Sequence, residues 1–121
     1  MKIGLTHTSS TTVDETNTAQ ALGSGDMEVF ATPAMIALME NAAMLSVFQS
    51  LPKGSTTVGA AIDAKHSRPS KIGAEIRATA TLINIEGRKL TFRIKAEDSK
   101  EMIGEATHIR YIVDRERFLS K

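Results

Sequence analysis

Apolar and polar positions follow two different rhythms along this chain. From Thr32 to Leu51 (TPAMIALMENAAMLSVFQSL) apolar residues run almost without interruption. Ala, Leu and Met dominate, all strong helix formers. Thr32 suits an N-cap and Pro33 the first helical position, where its missing N–H costs nothing. Pro52 blocks continuation and Gly54 follows. The stretch predicts one helix of roughly 30 Å. Because it is apolar nearly all round, it belongs in the middle of a fold rather than on a surface. Its length also fits a membrane span, but Glu40 and Asn41 at its centre argue against that.

Elsewhere the period is two. Residues 2–12 alternate weakly and read as a first strand. Val13–Asp26 is polar and Gly-rich, a loop with a short helical turn near Thr18–Leu22; Met27–Ala31 leads into the helix. A loop of this length suits a lid or a binding loop. After a turn at Lys53-Gly54-Ser55, Thr56–Ser67 alternates, with Val58, Ala60, Ile62, Ala64 and His66 on one side. Gly73–Ile85 is a clear strand with Ile76, Ala78, Ala80 and Leu82 on one face. A Glu86-Gly87-Arg88 turn of hairpin type follows. Lys89–Asp98 turns Leu90, Phe92, Ile94 and Ala96 inward, Asp98–Glu101 is a polar turn, Met102–Val113 is the last strand and Asp114–Lys121 a charged tail. Strand, helix, then four strands give an α+β architecture. One long central helix wrapped by a curved five-stranded antiparallel sheet is the hot-dog fold, expected here as a single domain over residues 1–121.

Composition narrows the function. The chain has 121 residues, enough for one real core. A formal net charge of +1 predicts no nucleic-acid or membrane-surface partner. No Trp and a single Tyr disfavour a base-stacking surface. The absence of Cys removes disulfides, thiol nucleophiles and cysteine metal sites. There is no HxH, HExxH, GxGxxG or P-loop, so neither a metal nor another cofactor is expected. Met1–Leu5 lacks an apolar signal core, which fits a cytoplasmic protein.

Three positions carry candidate chemistry. His66, at a strand end on the apolar register, suits a general base or simply a hydrogen-bonded sheet histidine. Thr32 is either an N-cap or a hydroxyl at a helix N-terminus, where backbone N–H groups favour an oxyanion. It would then need a base, for which His66 and Glu40 are candidates. Glu40 is a carboxylate in apolar company; it faces a groove or meets a donor, since an unpaired buried charge is very costly. It lies about 12 Å along the helix from Thr32, so a histidine must bridge the two or a second subunit must supply one. His108 either joins a site or pairs across the sheet, and His7 reads as structural or exposed. Arg68, Lys71, Arg77, Arg88, Lys89, Arg93 and Lys95 crowd the second half. Most suit solvated sheet faces, and a few could hold the phosphates of a nucleotide-bearing substrate.

Taken together, Ala31-Thr32-Pro33, Glu40, the Thr57-Val58-Gly59 to His66 strand, Glu86-Gly87-Arg88-Lys89-Leu90 and Gly104-Glu105-Ala106-Thr107-His108-Ile109-Arg110 resemble hot-dog thioesterases of the fluoroacetyl-CoA thioesterase type. The likeness runs from about Leu5 to Phe118. The spacing matches that family's Thr/Glu/His constellation: eight residues from Thr32 to Glu40 and 26 from Glu40 to His66. The resemblance implies metal-free acyl-CoA hydrolysis with Thr32, Glu40 and His66 as the catalytic set. It implies Gly59 as backbone lining the acyl site, with Phe30, Pro33, His108 and Arg110 beside the substrate. It also implies a homodimer, or a dimer of dimers, joined edge to edge with substrate at the subunit interface. The lid ahead of Ala31 departs from the type enzyme, holding Phe30 as its only aromatic, which points to a short or medium acyl-CoA of ordinary metabolism. Two alternatives stand. One is a hot-dog hydratase or dehydratase, for which Asp63-Ala64-Lys65-His66 has the residues but not the usual spacing. The other is a non-catalytic acyl-CoA-binding module.

Overall fold

The computed structural model describes residues 1–120. Strand β1 (Thr6–Thr12) leads through a short helix α1 (Ala19–Leu22) to the long helix α2 (Thr32–Val47). A 3₁₀ turn (Phe48–Ser50) follows, then strands β2 (Ser55–His66), β3 (Glu75–Glu86), β4 (Lys89–Glu97) and β5 (Met102–Asp114), and a closing helix α3 (Arg115–Leu119). The five strands form one antiparallel sheet in the order β1-β3-β4-β5-β2. β3, β4 and β5 form a meander through the two turns predicted at Glu86-Gly87-Arg88 and Asp98–Glu101, and β1 and β2 are the edges of the sheet. Among the described residues no helix is long and apolar enough to cross a membrane.

The core lies between α2 and the concave face of the sheet. Met35, Met39, Ala42, Ala43 and Val47 pack against Ile76, Ala78, Ala80 and Leu82 of β3 and Leu90, Phe92 and Ile94 of β4, all buried. Each large side chain taken from water there contributes roughly 1.5–3 kcal/mol. Gly104 lets the helix come close. A Cβ at that position would lie 2.6 Å from the Lys65 carbonyl and 2.7 Å from Met35 Sδ.

Several local expectations change. The first strand begins at Thr6 rather than Lys2, because Gly4 turns the backbone to a φ of 104°. Helix α2 gives way to the 3₁₀ turn before Leu51, which precedes Pro52 and is extended, as a residue before proline prefers. The tail is helical at Arg115–Leu119, with Asp114 accepting from the Arg117 amide as its N-cap. Helix α2 is not enclosed on all sides. It packs chiefly over β1 and β3, leaving Pro33, Ala37 and Leu45 exposed, as is Phe48 in the 3₁₀ turn that follows.

The most consequential change is a β-bulge between Gly59 and Ala61. Ile62, Ala64 and His66 face inward as predicted, but Val58 and Ala60 do not share their side. The extra residue slips the register by one, so Thr57 and Gly59 face inward instead.

Candidate active site

Thr32 is not the N-cap of α2. Ala31 holds that place with extended backbone (φ −73°, ψ 140°), and Thr32 and Pro33 form the first helical turn. The Thr32 hydroxyl is therefore free of capping. It lies 2.8 Å from Nδ1 of His66, the last residue of β2. At this helix start the Met35 amide reaches the Ala31 carbonyl and the Ala31 amide reaches Asn17. Among the described residues, the Thr32 and Ala34 amides meet no backbone acceptor, and Pro33 has no N–H. Two backbone donors thus stay unpaired at the helix N-terminus that carries the hydroxyl.

His66 is half-buried, and its ring meets Phe30 edge-on (centroids 6.4 Å apart, planes at 78°). Burial lowers its pKa below the ordinary 6.5, partly offset by the backbone at Arg68. A neutral imidazole that accepts from Thr32 through Nδ1 carries its proton on Nε2, which is buried without a hydrogen-bond partner. A pocket of about 250 Å³ opens over the pair. Ala19, Val29 and buried Phe30 form its apolar wall; Ser67, Arg68 and Pro69 form its polar rim. Pro33 is exposed next to Thr32.

Glu40 belongs to a second cluster. It is half-buried, and its Oε2 would lie 2.9 Å from a Cβ built on Gly59, with Arg110 Nη1 and His108 Cε1 each 3.4 Å from the same point. His108 is 1% exposed and Arg110 7%. Arg110 Nε donates to Thr57 Oγ1 (2.8 Å), Nη2 to the Thr57 carbonyl (3.0 Å) and Nη1 to His108 Nε2 (3.2 Å). His108 Nδ1 donates in turn to the Ala61 carbonyl at the bulge (2.7 Å). Its acceptance from Arg110 fixes the neutral tautomer, and burial holds its pKa down. Burial also lowers the Arg110 pKa, while Glu40 opposes that shift at both groups by its negative charge.

The predicted residues thus form two separate clusters. Thr32, His66 and Phe30 come together at one; Glu40, Gly59, His108 and Arg110 at the other. Asn41 does not pair with Glu40 but accepts from Ser9 Oγ (2.6 Å). His7 is half-buried on β1, away from both. Sequence reasoning missed Thr57 and the Ala61 carbonyl. The small-residue run Gly59-Ala60-Ala61 was the available signal, since glycine inside a strand pattern marks bulges. Asp63 is exposed on the face of β2 opposite His66, so the Asp–His pair of the dehydratase alternative does not form. Among the described residues no three His, Cys, Asp or Glu side chains cluster as metal ligands.

Comparison with known proteins identifies the family and the fold. Residues 13–116 match the family described as fluoroacetyl-CoA-specific thioesterase. The fluoroacetyl-CoA thioesterase of Streptantibioticus cattleyicolor is 37% identical over 94 residues, spanning 78% of this chain and 68% of that protein. A variant of the fluoroacetyl-CoA thioesterase FlK, solved with acetyl-CoA, superposes with a TM-score of 0.93 at 31% identity, covering 99% of this chain and 95% of that one. A hot-dog-like protein of Thermanaerovibrio acidaminovorans shares the fold (TM-score 0.90, 20% identity, 99% and 89% covered). This chain therefore has the hot-dog fold and belongs to the fluoroacetyl-CoA-specific thioesterase family.

Proposed function

We propose that this protein hydrolyses a short- or medium-chain acyl-CoA to the free acid and CoA, at a site shared by two copies of the chain in the cytoplasm. The observation that carries the reading is the 2.8 Å contact between the Thr32 hydroxyl and His66 Nδ1, in a pocket at a helix N-terminus. His66, neutral at pH 7, accepts the proton of the Thr32 hydroxyl or of a water in its place. The deprotonated oxygen attacks the thioester carbonyl. The Thr32 and Ala34 amides stabilise the resulting oxyanion, an interaction that strengthens in the transition state. The imidazolium then returns its proton to the departing CoA sulfur. On the Thr32 route, a second round with water releases the acid.

Glu40 supplies the negative charge from the other subunit. Two features support the shared site. Strand β2 is an open sheet edge of 12 residues with Gly59, Ala60 and Ala61 exposed, and such an edge pairs readily with another chain. Helix α2 also leaves apolar surface uncovered, and a second copy would cover both. No cofactor enters the scheme. The short lid, with Phe30 as its only aromatic, favours an ordinary acyl group over fluoroacetyl. The test is free-CoA release across an acyl-CoA panel. Turnover of short or medium acyl-CoA that is abolished in His66→Ala supports the reading; cleavage of none, or a His66→Ala variant matching wild type, overturns it. Binding without turnover would identify an acyl-CoA-binding module instead.

A further inference from the structure

Among the cations of the second half, the structure separates those already engaged from those that are not. Arg68, Arg77 and Arg93 lie within 3.3–3.5 Å of Glu101, Glu97 and Glu105. Arg88 and Arg117 meet no carboxylate within 4.0 Å among the described residues. They line a pocket of about 130 Å³ together with Val113, Asp114 and Phe118. Phe118 is 43% exposed, so its ring is open to a ligand. The Arg88 backbone is fixed: Gly87 makes the turn at a φ of 61°, and the Arg88 carbonyl accepts from the Ile112 amide (2.9 Å). The Asp114 carboxylate is turned to the Arg117 amide as the cap of α3. Two guanidinium groups beside an aromatic face match phosphate next to a purine. Guanidinium binds phosphate oxygens in bidentate fashion, and the base stacks on the ring.

Within one chain this pocket is in the wrong place for Thr32 and His66. It adjoins the start of β2, where Ser55 pairs with Asp114, whereas His66 is the end of the same strand. Eleven strand steps put the two about 36 Å apart, beyond the extended arm of coenzyme A. Antiparallel pairing of two β2 edges changes this. Full overlap of two 12-residue strands sets His66 of one copy opposite Ser55 of the other, one interstrand spacing of about 4.8 Å away.

We propose that Arg88, Arg117 and Phe118 bind the phosphorylated adenosine end of coenzyme A and serve the Thr32–His66 centre of the partner subunit. This rests on the dimeric acyl-CoA thioesterase reading and assigns that site its nucleotide half. The experiment compares an acyl-CoA with the same acyl group on pantetheine, which lacks the nucleotide. In Arg88→Glu/Arg117→Glu, KM for acyl-CoA rises about tenfold or more, with kcat and the KM for acyl-pantetheine unchanged. Equal changes on both substrates, or no change on either, overturn the proposal. All three side chains are exposed, so folding is retained. A heterodimer of one His66→Ala chain and one Arg88→Glu/Arg117→Glu chain tests the crossing. Its only complete Thr32–His66 pair draws on the intact pocket of the other chain, so its KM matches wild type; a raised KM overturns the assignment across subunits. If wild type cleaves neither substrate, the thioesterase reading falls. Calorimetric titration with adenosine 3′,5′-bisphosphate then decides the pocket: binding lost in the double variant upholds it, and no binding by wild type overturns it.

Discussion

The hydroxyl of Thr32 stands 2.8 Å from Nδ1 of His66, 34 residues away in sequence. The contact exists because Ala31, not Thr32, caps the helix. A hydroxyl engaged in capping would be turned toward the N2 or N3 amide; one residue further on it is free to face the end of β2. His66→Ala removes the base and lowers kcat by about 10²–10⁴. Thr32→Ser keeps the hydroxyl and retains most of the activity. Stopping the reaction early and weighing the protein reads the route, since an acyl group on Thr32 marks covalent catalysis.

The pH dependence has a definite sign. Burial holds the pKa of both His66 and His108 below 6.5. The acid limb of the kcat/KM profile therefore falls below pH 6.5, where His66 is protonated and can no longer accept. For stability, the unfolded chain binds more protons than the native chain between the lowered values and 6.5, so stability rises with pH there. The contribution is fully present above pH 6.5 and is lost as pH falls through the native values. Thermal melts from pH 8 to pH 5 test this: Tm declines on acidification, and His108→Gln flattens the decline.

Two glycines should respond in opposite ways to alanine. A Cβ at Gly59 meets the carboxylate of Glu40 at 2.9 Å, the far end of a flexible side chain. Gly59→Ala displaces Glu40 and lowers kcat with little loss of Tm. At Gly104 a Cβ meets the Lys65 backbone carbonyl at 2.6 Å. Gly104→Ala costs about 1–3 kcal/mol of stability through overpacking. Paired melts and rates on the two variants check both.

Thr57 holds Arg110 with its hydroxyl and its carbonyl. Thr57→Val keeps the shape but leaves Arg110 Nε without an acceptor in a buried site, at a cost of about 1–3 kcal/mol. Thr57→Ser restores the bond. Chemical denaturation of the three proteins measures the difference.

Much of this was legible in the sequence because periodicity follows burial. The inward faces of β3 and β4 alternate without a break through Leu82 and Ala96, so the meander could be read directly. The bulge could not: an extra residue at Ala60 leaves the composition of β2 unchanged while reversing the side of Val58 and Thr57. The cap shifted by one because Pro33 tolerates the second helical position as well as the first. The open face of α2 escaped because an all-round apolar helix specifies burial without saying how many chains provide it. His66 and Glu40 stood out through residue type and spacing. Thr57, chemically ordinary, becomes recognisable only once β5 sets it against Arg110.

Each proposed active centre joins Thr32 and His66 of one subunit to Glu40 of the other. A purified heterodimer of one His66→Ala chain and one Glu40→Ala chain tests it directly, with each variant expected to be inactive as a homodimer. Across subunits, the Glu40→Ala chain's Thr32–His66 pair meets the intact Glu40 of its partner, and the heterodimer recovers about half of wild-type acyl-CoA hydrolysis. If all three groups act within one chain, both centres stay broken, and a heterodimer as inactive as either parent rules out the shared centre.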